Sequence, residues 1–128
     1  MDDNLRKLKK HFLSTEDEDC EDTFLIQVRA KLKWDKELFL ILVAEMQNCC
    51  QRYESKDLIE KWIAEGFWYI PQFVRDWTTH PNFPKQYSEE YYEKAFSLLD
   101  DLAFYFFTSS NPRMGKLILV EAFIEETK

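Results

Sequence analysis

The stretch Phe24-Leu25-Ile26-Gln27-Val28-Arg29-Ala30-Lys31-Leu32-Lys33-Trp34 decides the fold class, because it fits two periods at once. Phe24, Ile26, Val28, Ala30, Leu32 and Trp34 alternate with mostly polar neighbours as a strand does, while Leu25, Val28 and Leu32 form a helical stripe. A strand here needs a partner, and Leu117 to Ile124 is the only other β-like run. A two-stranded sheet is marginal in water, and the residues between the two runs are helical in pattern, so the helix is preferred. The expected fold is therefore all-α, an irregular bundle of five to seven helices forming a single domain over 1-128. The alternative is α+β, with an antiparallel pair from 24-34 and 117-124.

Working outward, Asp35 is placed to cap a long helix reaching Tyr53, with Leu38, Leu42, Met46, Cys49 and Tyr53 on one face. Ser55 is expected to cap a further helix through Glu65, carrying Leu58, Ile59, Trp62 and Ile63 and closed by Gly66. Pro71 suits the first turn of another short helix in which Phe73, Val74 and Trp77 share a side. Pro81 and Pro84 make 78-84 a loop. Ser88 restarts helix with Glu89 and Glu90 in its first turn, and Tyr92, Ala95, Phe96, Leu99, Leu102, Ala103 and Phe106 form its inward stripe. Ser109 to Pro112 break it, and Leu117, Val120, Phe123 and Ile124 suit a last helix. Upstream of the deciding stretch, Leu5, Leu8, Phe12 and Leu13 mark a short amphipathic helix. Between the two lies 14-22, with six acids in nine residues, which reads as a flexible acidic linker or loop.

Composition narrows the class of function. The chain has 128 residues, a size at which one domain buries roughly two-thirds of its unfolded surface. With 45% hydrophobic and 32% charged residues and only 2 Gly, it is neither collagen-like nor low-complexity nor wholly disordered. The longest apolar stretch, Leu38 to Ala44, falls far short of the roughly 20 residues that span a bilayer, and Met1-Asp2-Asp3 is acidic where a signal peptide is basic. A cytoplasmic protein without a membrane partner is expected. Cys20, Cys49 and Cys50 are odd in number and two are adjacent, so they read as free thiols. A net charge of −7 repels a phosphate backbone and favours a basic protein partner over nucleic acid.

Candidate chemistry is sparse. Glu89-Glu90-Tyr91-Tyr92-Glu93 resembles the metal-binding helix of all-α nucleoside-triphosphate pyrophosphohydrolases, whose clustered carboxylates hold Mg²⁺. That family also uses a Glu-x-x-Asp on a following helix, and the downstream acids Asp100, Asp101, Glu121, Glu125 and Glu126 do not have that spacing. Asp76 and His80 stand four apart, a metal-sharing distance on a continuous helix, but Pro81 argues against continuity. His11 lies in a basic amphipathic stretch and reads as a surface residue. Cys49 and Cys50 sit at core spacing, without the base that a nucleophile needs. Two glycines, Gly66 and Gly115, cannot build a phosphate cradle, so no catalytic residue, metal ligand or cofactor is assigned.

Aromatic crowding is the remaining signal. Ten of the 21 aromatics fall between Trp62 and Tyr92. Periodicity sends Trp62, Phe73, Trp77 and Tyr92 inward, whereas Trp68, Tyr69, Phe83, Tyr87 and Tyr91 have no obvious inward face. Exposed aromatics beside Asp76, Glu89 and Glu90 have the make-up of a protein-binding surface, with anchors inside a charged rim. The expected partner site is thus Trp68, Tyr69, Phe83 and Tyr87 rimmed by Asp76, Glu89 and Glu90; the competing arrangement is a generous aromatic core. Small size, acidity, aromatic richness and the lack of a catalytic constellation resemble the immunity proteins of bacterial toxin systems, a resemblance of composition without a motif. It implies an inhibitor that blocks a basic protein partner. The other readings are the Mg²⁺-dependent nucleotide hydrolase and a homo-oligomeric scaffold without catalysis.

Overall fold

The computed structural model describes residues 3–13, 23–112 and 115–128. The expected linker at 14-22, with Cys20, lies outside them. Six α-helices make up the ordered framework of the described residues, and no strand occurs among them: α1 (Asp3–Phe12), α2 (Phe24–Lys31), α3 (Lys36–Arg52), α4 (Lys61–Thr78), α5 (Glu89–Thr108) and α6 (Leu119–Glu126). None is long and apolar enough to cross a membrane.

The deciding stretch is helical, and the structure shows why both periods fitted it. Phe24 through Val28 are buried all round, so α2 has no polar stripe to betray its period. Leu32 then closes the helix in the left-handed region, at φ 50°, and Trp34 turns back into the core. The apparent alternation at Leu32 and Trp34 is a helix end followed by a turn. The antiparallel pair with 117-124 does not form: Leu117 is buried in a connection and Leu119 opens α6.

The capped helices behave as their sequences require. The Asp35 carboxylate accepts from the Leu38 N–H at 3.0 Å, and the Ser88 hydroxyl accepts from the Tyr91 N–H at 3.1 Å, each satisfying one orphan donor of a first turn. α6 has no side-chain cap of its own. Buried Gln47 of α3 supplies one, its Oε1 accepting from the Val120 N–H at 2.9 Å while its Nε2 donates to Glu121.

Two expectations are corrected between residues 53 and 78. Ser55 does not begin a helix: Tyr53 ends α3, and 53–60 forms a connection with the Tyr53 hydroxyl held on the Glu60 carboxylate and the Tyr105 hydroxyl donating to Glu54 at 2.7 Å. Leu58 and Ile59 stay exposed as a result. Gly66 and Pro71 do not punctuate two short helices; both lie inside the continuous α4. At Gly66 the space of a side chain is taken by Phe12 of α1, whose Cδ2 would stand 2.0 Å from an added Cβ. Pro71 removes one helical hydrogen bond, and the flanking contacts outweigh that loss, notably Phe67 stacked on Phe106 at 4.1 Å and 3°.

Gly66→Ala is therefore expected to destabilise, although alanine favours a helix interior by about 1 kcal/mol. Overpacking a filled site costs roughly 1–3 kcal/mol, so a net loss should appear in urea denaturation. A gain would mean that Phe12 does not sit on α4.

α1 lies on α3 and α4, α2 on α3 and α4, and α5 on α3, α4 and α6, so all six helices feed one apolar core. α4 and α5 run antiparallel, since Phe67 meets Phe106 at one end and Arg75 meets Asp100 at 2.7 Å towards the other. His11, expected at the surface, is buried where α1 docks. Burial and then the charge of Lys10 push its pKa down to about 4. Cys49 and Cys50 are buried free thiols, and burial raises both, Cys49 to about 12.

Candidate functional site

α4 presents one face to solvent. Glu65, Trp68, Tyr69, Gln72 and Asp76 recur at helical spacing and all are exposed, because the opposite face, with Ile63, Phe67, Ile70 and Val74, is spent on the core. Trp68 is 62% exposed and Tyr69 42%. The two rings are 6.5 Å apart, and the row continues through Phe73 at 5.5 Å to Trp77 at a further 6.0 Å. This aromatic ladder runs from the middle of α4 to its C-terminal end, with Phe73 buried between the exposed Tyr69 and the half-buried Trp77.

A groove lies at each end of that face. The first, about 240 Å³, opens between Phe12, Leu13, Trp62 and Tyr69, where α1 ends on α4. The second, about 410 Å³, opens where the end of α2 meets the end of α4, with Leu32, Trp77 and Phe83 as apolar walls and Asp76, His80 and Asn82 at the rim. Trp68 and Asp76 are eight residues apart, about 12 Å along the helix.

The seven residues expected in a partner site do not converge. Trp68, Tyr69 and Asp76 share the exposed face of α4. Phe83, expected outside, is turned inward and only 5% exposed, leaving an edge in the second groove. Tyr87 is half-buried; the Lys36 ammonium lies 4.0 Å from its ring centre and 4.5 Å from that of Tyr91. With Glu90 it lines a third, polar cleft of about 350 Å³ shared with Ser88 and Lys128, away from the α4 face. Glu89 is exposed in the first turn of α5, and Glu90 is paired with Lys94 at 3.1 Å. Tyr91, expected without an inward face, is buried and accepts from the Trp34 indole N–H at 2.9 Å. Loop residues have no period, so sequence spacing could not orient Phe83 or Tyr87.

Charge is arranged unevenly around the face. Arg75 turns to Asp100 on α5, while the neighbouring Asp76 makes no ion pair or hydrogen bond with any described residue. Helix continuity from Asp76 to His80 fails, since Thr79 caps α4, and His80 Nδ1 accepts from the Asn82 N–H at 3.1 Å. Among the described residues, no three His, Cys, Asp or Glu side chains are grouped to hold a metal ion.

Phe104 and Phe107 of α5, 50% and 51% exposed, add two outward aromatics beyond the expected site. Their signal was present: both fall outside the inward stripe of Leu99, Leu102 and Phe106. No family model, curated protein or solved structure matches the chain.

Proposed function

We propose that this protein is a cytoplasmic protein-binding module, an inhibitor or immunity-type protein that covers a basic partner with the exposed face of α4. One observation carries the reading: Trp68 and Tyr69 stand exposed on a single helix face between the carboxylates of Glu65 and Asp76. Large amphipathic rings with few rotatable bonds are what interfaces use as anchors, and acids around them select a partner of opposite charge. The net charge of −7 extends that preference from contact distance to encounter. Blockade is then steric at α4 and electrostatic around it.

Immobilised protein exposed to a lysate of its native host tests this. The expected result is retention of a basic protein, weakened by added salt, which is lost when Trp68→Ala/Tyr69→Ala replaces the native chain. Equal retention by both forms, or retention of acidic proteins only, contradicts the proposal.

A further inference from the structure

We infer that the groove between the ends of α2 and α4 is the seat of one arginine side chain of the partner. This rests on the reading of α4 as the partner surface, and names the chemistry at its far end. The groove is continuous with that surface, because Asp76 belongs both to the exposed face of α4 and to the groove's rim.

The lining selects the occupant. Leu32, Trp77 and Phe83 give apolar walls, two of them aromatic, which suit the stem and the flat face of a long cationic side chain. The Asp76 carboxylate at the mouth pairs with no cation among the described residues, and Arg75 beside it is committed to Asp100. An acidic side chain would be repelled there, and a neutral one would leave the carboxylate unmatched. Arginine fits better than lysine because its planar guanidinium stacks on aromatic rings, sheds water more readily and can donate two parallel hydrogen bonds to one carboxylate. The aromatic ladder from Trp68 to Trp77 sets the footprint: anchors at one end of α4 and the arginine about 12 Å away.

The test titrates isotope-labelled protein with N-acetyl-arginine amide, its lysine counterpart and its citrulline counterpart, which has arginine's shape without the charge. In amide-resolved nuclear magnetic resonance, the Trp77 indole N–H and the Asn82 and Phe83 amides should shift saturably with the arginine probe. The response should weaken with lysine, and vanish with citrulline and in Asp76→Asn. Equal shifts from citrulline, persistence in Asp76→Asn, or no shift at these positions overturns the assignment. Asp76→Asn is also carried through the capture experiment, where it should weaken retention at least tenfold. If Trp68→Ala/Tyr69→Ala abolishes capture while Asp76→Asn does not, the arginine seat is wrong and the α4 surface stands. If neither variant changes capture, both fall.

Discussion

Trp34→Ala should remove about 3–5 kcal/mol from the free energy of unfolding, at the upper end of what emptying an aromatic core site costs. Trp34 is 1% exposed in the turn joining α2 to α3, and five rings crowd it: Phe24 at 4.8 Å, Phe39 at 5.0 Å, Tyr92 at 5.1 Å, Tyr91 at 5.9 Å and Phe96 at 6.4 Å. Alanine leaves a cavity among them that close-packed neighbours cannot fully collapse into. It also strips the Tyr91 hydroxyl of its indole donor, a further cost where the group is shielded from water. Since domains of this kind hold about 5–15 kcal/mol in total, the variant should be near the edge of folding. Trp34→Phe, which keeps most of the volume but not the donor, should lose markedly less. Urea denaturation of the three forms measures this, and a loss under about 1 kcal/mol for Trp34→Ala would mean that the turn between α2 and α3 does not close over α5.

The second large effect is acid destabilisation through His11. Its pKa falls from 6.5 in the unfolded chain to about 4 in the folded one, because burial disfavours the imidazolium and Lys10 adds to the penalty. Between those values the unfolded chain holds a proton that the folded chain does not, so unfolding gains as pH drops. The stabilisation due to neutral His11 is intact above pH 6.5, declines below it and is gone beneath about pH 4, a change of about 3 kcal/mol. Carboxylates titrate in the lower part of that window, so the decisive quantity is the difference between wild type and His11→Gln. The variant should show a shallower fall in stability from pH 6.5 to 5. Identical slopes would place the imidazole in water and α1 off the core.

These effects show which parts of the fold were legible. α3 and α5 could be read because Asp35 and Ser88 announce their starts and long apolar stripes follow. α4 was cut in two because Gly66 and Pro71 are strong local breakers, while what overrides them is distant in sequence: the Phe12 ring in the place of a Gly66 side chain and Phe106 stacked on Phe67. The burial of His11 is hidden for a related reason, since a charged stretch gives no hint that one of its members turns inward where α1 docks. Trp68 and Tyr69 have no inward face when set between helices ending at Gly66 and starting at Pro71, and the structure keeps them outward for a different reason: they lie off the Ile63, Ile70 and Val74 stripe of one continuous helix. The second groove was not, because it joins Leu32 to Trp77 and Phe83 across more than forty residues of chain.

The central claim is that the α4 aromatics serve a partner and not the fold, and one paired measurement separates the two. With the captured basic protein purified, its dissociation constant and the chain's unfolding free energy are determined for wild type and for Trp68→Ala/Tyr69→Ala. Loss of anchor rings should weaken binding by about 2 kcal/mol or more, some thirtyfold, while stability stays within about 0.5 kcal/mol of wild type, as for other exposed positions. Unchanged affinity, or affinity that falls only because the variant unfolds, would contradict it.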